Sequence, residues 1–348
     1  MIRVLVIEDS PTMRILLKNI LESDADLKVI GMAPNGEEGV RQALALKPDI
    51  ITMDIHMPGM DGFEATRRIM EQRPTPIVIV SSSVERSELL ITFNAMQAGA
   101  LEVIEKPAAT THPDFAALRA RLITTVKLMS EVKVIRRYRS HSSARSRGEE
   151  GARAAQPYAL LAVGASTGGP AALNTLFKGL PADFPLPVVV VQHMTIGFTA
   201  GLAAWLQLES PLKVKVAAEG EYLQPGTIYF APDDTHIQAM NRGLLGLSKA
   251  PPVSHVRPSA TVLFESVARV YGGEAIGVLL TGMGDDGARG LKAMHDRGAA
   301  TIAQDEATSA VYGMPKVAVE LGGANQVLPL PQIAGAVLAL VGHTSQPK

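Results

Sequence analysis

Ser166 stands within Gly164-Ala165-Ser166-Thr167-Gly168-Gly169, directly behind the apolar run 159–163. Glycines around a serine at a strand's carboxyl end force a sharp turn that pushes the hydroxyl out of the sheet. Free backbone N–H groups beside it can then stabilise an oxyanion. A tight turn or a phosphate-binding loop uses the same pattern, so the motif alone leaves those chemistries open. Two further apolar runs end in groups that could complete a hydrolase. Residues 187–191 lead into Gln192-His193-Met194, and residues 276–280 lead into Thr281-Gly282-Met283-Gly284-Asp285-Asp286-Gly287. A histidine that takes the serine proton and a carboxylate that fixes its tautomer would meet Ser166 at one rim of a parallel sheet. The order Ser, His, Asp differs from the Ser, Asp, His of α/β-hydrolases, so that fold is not expected. Spacing favours His193 without securing it. His236, behind residues 230–234, also ends a strand-like run, and His255 sits near Arg257. Spacing does not separate Asp285 from Asp286.

A second constellation lies near the amino terminus. Glu8 and Asp9 close a first strand, and Asp54 closes another, Ile50–Met53. In a doubly wound parallel sheet those ends share one rim. Three carboxylates crowded together are costly without a cation, and an all-oxygen set suits Mg²⁺. Ser81 closes residues 77–80, and Lys106 precedes Pro107. A hydroxyl, an ammonium and Mg²⁺ around one carboxylate make a site for transferring a phosphoryl group to Asp54.

The elements that must hold these groups read as two α/β units. Strands are predicted at 3–7, 28–32, 50–53, 77–80 and 102–104, with helices such as Pro11–Leu21 and Gly36–Leu46 between them. A second set of strands is predicted at 159–163, 187–191, 227–231, 275–280 and 301–304, separated by helices at 170–178, 260–270 and 287–296. Between the units lie Arg136, Arg137, Arg139, Arg145, Arg147 and Arg153, interleaved with Ser, Gly and Ala. So few large apolar residues cannot offset the entropy of ordering, and a basic tether is expected there. The predicted division is 1–131, a linker at 132–157, and 158–348.

Composition excludes several classes. At 348 residues, two domains are the natural expectation, and 47% apolar residues can fill both cores. A net charge of −1 argues against a surface made for nucleic acid. Cysteine is absent, so any nucleophile is an oxygen or nitrogen. No apolar run is long enough to span a bilayer, and the amino terminus reads as a strand rather than a signal peptide, which predicts a cytoplasmic protein without membrane insertion.

The first unit closely resembles a response-regulator receiver domain. The resemblance rests on Val6-Ile7-Glu8-Asp9-Ser10, Met53-Asp54-Ile55-His56-Met57-Pro58-Gly59-Met60-Asp61-Gly62, Val80-Ser81-Ser82 and Glu105-Lys106-Pro107. It implies a flavodoxin-like fold with Asp54 as phosphoacceptor from a histidine kinase. Mg²⁺ would be held by Asp9, Asp54 and, through water, Glu8, with Ser81 and Lys106 reading the phosphate. Glu8 replaces the commoner Asp, and Val103 stands where many receivers carry an aromatic switch residue.

The second unit carries the motif 164–169, Gln192-His193-Met194 with Gly197-Phe198-Thr199, and Arg257-Pro258-Ser259 with Val262-Leu263-Phe264. It also carries the motif 281–287 and residues 304–309 with Tyr312-Gly313-Met314-Pro315. Behind a receiver, these resemble the chemotaxis protein-glutamate methylesterases, which also act as protein-glutamine glutaminases. The resemblance implies a doubly wound parallel α/β catalytic domain with a Ser166, His193 and Asp286 triad. Backbone N–H groups of Thr167 and Met283 would be the oxyanion donors. No cofactor is expected for the esterase step, and chemoreceptors are the expected substrates. Thr261 stands where an Asp is common in that family. A receiver with a DNA-reading output is excluded, because the second unit lacks a small basic helical reader. A nucleotide site at 164–169 lacks the P-loop lysine and the full dinucleotide glycine spacing. A catalytically silent, phosphorylation-controlled docking protein is the remaining alternative.

Overall fold

The computed structural model describes residues 1–81, 95–96, 98–107, 115–132 and 158–342. The predicted tether at 132–157, with its six arginines, lies outside the described residues except for Val132, as does Ser82. The first unit runs β1 (Ile2–Ile7), α1 (Pro11–Leu21), β2 (Leu27–Ala33), α2 (Gly36–Leu46), β3 (Ile50–Met53), α3 (Gly62–Gln72), β4 (Ile77–Ser81), β5 (Glu102–Glu105) and α4 (Phe115–Ser130). Its five strands pair in the order β2-β1-β3-β4-β5, all parallel, the flavodoxin-like winding. The helices start where polar side chains satisfy their free N–H groups: Ser10, Asn35 and Asp61 accept from Met13, Glu38 and Glu64. Strands β3 and β4 are buried along their whole length, so their apolar runs do not alternate with polar residues.

The second unit runs β6 (Leu160–Ala165), α5 (Gly169–Lys178), β7 (Val188–Gln192), α6 (Thr199–Glu209), β8 (Lys213–Val216), β9 (Thr227–Phe230), β10 (His236–Asn241) and β11 (Leu244–Ser248). It continues with α7 (Ala260–Tyr271), β12 (Ala275–Leu279), α8 (Ala288–Asp296), β13 (Ala300–Gln304), α9 (Met314–Glu320), β14 (Gln326–Leu328) and α10 (Leu330–Leu340). Seven parallel strands pair in the order β14-β13-β12-β6-β7-β9-β8, and β10 and β11 form a separate antiparallel hairpin. The winding reverses at β6, which has β7 on one side and β12 on the other. Sheets of this kind bind ligands at such a reversal, beyond the carboxyl ends of the strands.

The sequence does not predict this hairpin, which corrects the placement of one histidine. His236 opens β10 rather than ending β9, because Pro232-Asp233-Asp234-Thr235 intervene. Among the described residues no helix is long and apolar enough to cross a membrane. The two units touch. Met96 of the first lines a cavity of about 280 Å³ with Ala171, Thr175 and Lys178 of α5 and Trp205 of α6. Val311 of the second packs against the cluster formed by α1, α4 and the first sheet.

Candidate active site

Ser166, His193 and Asp286 follow the three central strands β6, β7 and β12. Parallel register aligns Ala165 with Gln192, so the next residues, Ser166 and His193, leave the sheet side by side. Two bonds tie their backbones down: His193 N–H donates to Ala165 O at 3.0 Å, and Ser166 N–H donates to Thr281 O at 3.0 Å. The Gln192 amide then donates to both Ser166 O and His193 O, each at 2.8 Å, clamping the two loops together. Gly282 explains part of the glycine pattern. A Cβ there would lie 2.7 Å from Ser166 Cβ and 2.3 Å from Met314 Sδ, closer than any side chain tolerates.

His193 Nε2 lies 2.9 Å from Asp286 Oδ2, which leaves Nδ1 for a proton from a nucleophile. Ser166 Oγ makes no hydrogen bond among the described residues, a common state before substrate arrives. Asp286 is 3% exposed and its carboxylate is fully engaged. Oδ2 also accepts from Ala260 N–H at 2.6 Å, while Oδ1 accepts from Ser259 Oγ at 2.6 Å and Thr261 N–H at 3.2 Å. Burial pushes this carboxyl up. The His193 hydrogen bond and charge, the Ser259 hydroxyl and the Ala260 N–H outweigh it and hold the carboxyl below its ordinary range.

The rival residues separate on burial and partners. Asp285, one position earlier, is exposed. His236 is buried, with Nδ1 accepting from Ser259 N–H at 3.1 Å and Nε2 3.2 Å from Pro251 O. His255 is exposed at φ 64°, and the neighbouring Arg257 guanidinium is taken by Asp234 through two 2.9 Å bonds. Thr261 serves the loop of Asp286, its Oγ1 accepting from Gly287 N–H at 2.8 Å. The N–H groups of Thr167 and Met283 donate to no acceptor among the described residues, and Met283 is 47% exposed at the rim. Their neighbour Gly168 N–H lies close enough to the Glu102 carboxyl of the first unit to favour its charged form.

By its sequence Glu102 is only a strand residue. It sits at the start of the edge strand β5, 8% exposed, where no sequence spacing signals a partner in the other unit. Burial pushes its carboxyl up to about 7 against the opposing effects of Arg121 and the Val103 and Gly168 N–H groups.

The acidic site of the first unit also assembles. Carboxylate oxygens of Glu8, Asp9 and Asp54 lie within 4.8 Å of one another. Lys106 Nζ bridges Asp54 Oδ2 at 2.8 Å and Glu8 Oε2 at 2.9 Å. Burial raises the carboxyls of Glu8 and Asp54 despite Lys106. Burial also opposes the charge of Lys106, but its bonds to Asp54 and Glu8 prevail and raise its ammonium above the ordinary value. The Ser81 hydroxyl is buried with no hydrogen-bond partner among the described residues. An all-oxygen donor set and an orphaned hydroxyl beside it fit Mg²⁺ and a phosphoryl group. Val103 is packed into the core at 6% exposure.

A family model described as CheB methylesterase matches residues 161–337, and one described as response regulator receiver domain matches residues 4–113. A protein-glutamate methylesterase/protein-glutamine glutaminase of Nitrosospira multiformis is 48% identical over 357 residues, spanning 100% of this chain and 99% of that protein. A protein of Myxococcus xanthus named protein-glutamate methylesterase/protein-glutamine glutaminase 4 is 48% identical over 96% of this chain and 95% of its own length. The crystal structure of the Thermotoga maritima CheB methylesterase catalytic domain is 40% identical to this chain. It superposes with a TM-score of 0.51, covering 53% of this chain and 99% of that one.

Proposed function

This chain belongs to the CheB methylesterase family and carries a response regulator receiver domain ahead of the catalytic one. From that premise we propose that Ser166, His193 and Asp286 hydrolyse glutamate methyl esters, and the side-chain amides of chosen glutamines, on chemoreceptors. The observation that carries the assignment is the 2.9 Å contact of His193 with a buried, four-donor Asp286, beside the nucleophile loop.

Ser166 Oγ attacks the γ-carbonyl carbon while His193 Nδ1 accepts its proton. Asp286 holds Nε2–H and stabilises the imidazolium. The oxyanion falls to the free N–H groups of Thr167 and Met283. His193 then returns the proton to the leaving group, so an ester releases methanol and an amide releases ammonia. Water adds to the acyl-enzyme by the same proton transfer, giving free glutamate and restoring Ser166. The ester step needs no cofactor.

Control resides in the receiver. Asp54 accepts a phosphoryl group from a histidine kinase, with Lys106 and Ser81 aimed at the phosphoryl oxygens. Glu8, Asp9 and Asp54 would hold Mg²⁺, which when bound offsets the charge of phosphate and carboxylates. In the unphosphorylated form, Glu102 on Gly168 and the packing of Val311 set the receiver against the nucleophile loop. Phosphorylation loosens that contact. The setting is the cytoplasm, where kinase and receptor tails are both available.

The test is methanol release from methylated chemoreceptor membranes, comparing wild type with Ser166→Ala. Release by wild type alone is expected. An Ser166→Ala enzyme within a few-fold of wild type refutes the nucleophile.

A further inference from the structure

Two residues that the catalytic mechanism leaves unused, Ser259 and His236, form a continuous chain to its carboxylate. We propose that Ser259, held by His236, is a positioning residue that sets the Asp286 carboxylate and through it the His193 ring. The inference rests on the triad assignment above and deepens it.

The carboxylate to be held is that of Asp286, on the loop after β12. A carboxylate on a loop has two torsions to lose, and a single partner on one oxygen leaves it free to turn. Here each oxygen has two donors. Oδ2 is shared by His193 and Ala260 N–H, and Oδ1 by Ser259 Oγ and Thr261 N–H. Without the Ser259 hydroxyl, Oδ1 keeps only the 3.2 Å bond to Thr261, in a place where a 3% exposed carboxylate has little water to replace the loss. The carboxylate can then rotate, and His193 loses the orientation fixed by its Nε2 contact with Asp286.

Ser259 is itself fixed from two sides. Its Oγ accepts from Val262 N–H at 3.3 Å, which starts the helix α7. Its N–H donates to His236 Nδ1 at 3.1 Å, which puts the ring proton on Nε2, facing Pro251 O at 3.2 Å. His236 is 1% exposed and Ser259 is fully buried, so neither can touch a receptor helix. Their effect must pass through Asp286.

That separation makes the role testable in the full-length enzyme with methylated receptor membranes. Ser259→Ala is expected to lower kcat roughly ten- to a hundredfold with KM unchanged, the usual worth of a hydrogen bond to a charged group. Ser259→Thr keeps the hydroxyl and should restore most of the rate. In an Asp286→Ala background, Ser259→Ala should have no further effect, whereas a merely structural serine would subtract its loss again. At position 236, Asn keeps an acceptor near Nδ1 and Gln does not. His236→Asn should therefore retain activity and His236→Gln lose it, a comparison that stands even where Ser259→Ala fails to fold.

A folded Ser259→Ala enzyme within about twofold of wild type overturns the proposal. So does a second full loss in the Asp286→Ala background, or equal rates for the two His236 variants. The triad assignment fails separately. It falls if Ser166→Ala stays active or if Ser166 resists a fluorophosphonate probe, whatever Ser259 does.

Discussion

Glu102 offers the sharpest test of how the receiver restrains the enzyme. Its carboxyl is buried, lies near the Gly168 N–H of the second unit and is pushed up to about 7 from an ordinary 4.5. At about 1.4 kcal/mol per pH unit, ionised Glu102 costs the docked state about 3 kcal/mol relative to a form in which the side chain is in water. The sign follows from the direction of the shift. Below about pH 4.5 both forms hold the proton and the contact carries no charge penalty, and above about pH 7 the penalty is complete. Between about pH 6 and pH 8 the docking equilibrium should weaken about tenfold. The assay is methanol release by the full chain, unphosphorylated and with saturating phosphodonor. The ratio of the two rates cancels the pH dependence of the ester chemistry. Wild type should lose fold-activation as pH rises, because its basal rate climbs toward the activated one. Glu102→Gln fills the same space without a charge, so its ratio should be larger at about pH 8 and nearly flat with pH. A Glu102→Gln enzyme that follows the wild-type curve would refute the reasoning.

Asp54→Ala should keep basal methanol release and lose its response to phosphodonor, measured as the rate ratio with and without donor. Gly282→Ala would drive a methyl group against Ser166 Cβ and Met314 Sδ. Its kcat should fall by roughly a hundredfold, read in the receptor assay, because a displacement of about 1 Å at a nucleophile has that effect. Thr281 Oγ1 lies 2.9 Å from Thr167 O and accepts from Val311 N–H at 2.9 Å. Thr281→Val should leave both groups unpaired and lower unfolding stability by about 1–3 kcal/mol, read from denaturant titration. An unchanged midpoint would contradict that account.

The winding of both sheets and the residues at their rims were legible because apolar runs end directly at the chemistry. Asp54 follows β3, Ser166 follows β6 and His193 follows β7, so element and site share one signal. Asp286 was not separable from Asp285 by that signal. What separates them is burial against the start of α7, contributed by Ser259 and Ala260 more than twenty residues earlier in the chain. His236 was misplaced for a related reason. Polar residues 233–235 detach it from β9 and hand it to a short hairpin whose apolar alternation is brief. Glu102 was invisible as a contact, since its partner lies 66 positions away and its own strand reads like any other edge.

Because the sheet reverses at β6, the three side chains proposed to react follow three neighbouring strands, β12, β6 and β7. The spacing of Ser166 and His193 comes from the backbone ladder, about 4.8 Å per strand, whereas Asp286 lies on the loop beyond Leu279 and is held by the start of α7. At the rim, Ile196 and Met283 stand 67% and 47% exposed. Substitutions of these few apolar residues would alter the protein surface that is served without touching the side chains of Ser166, His193 and Asp286.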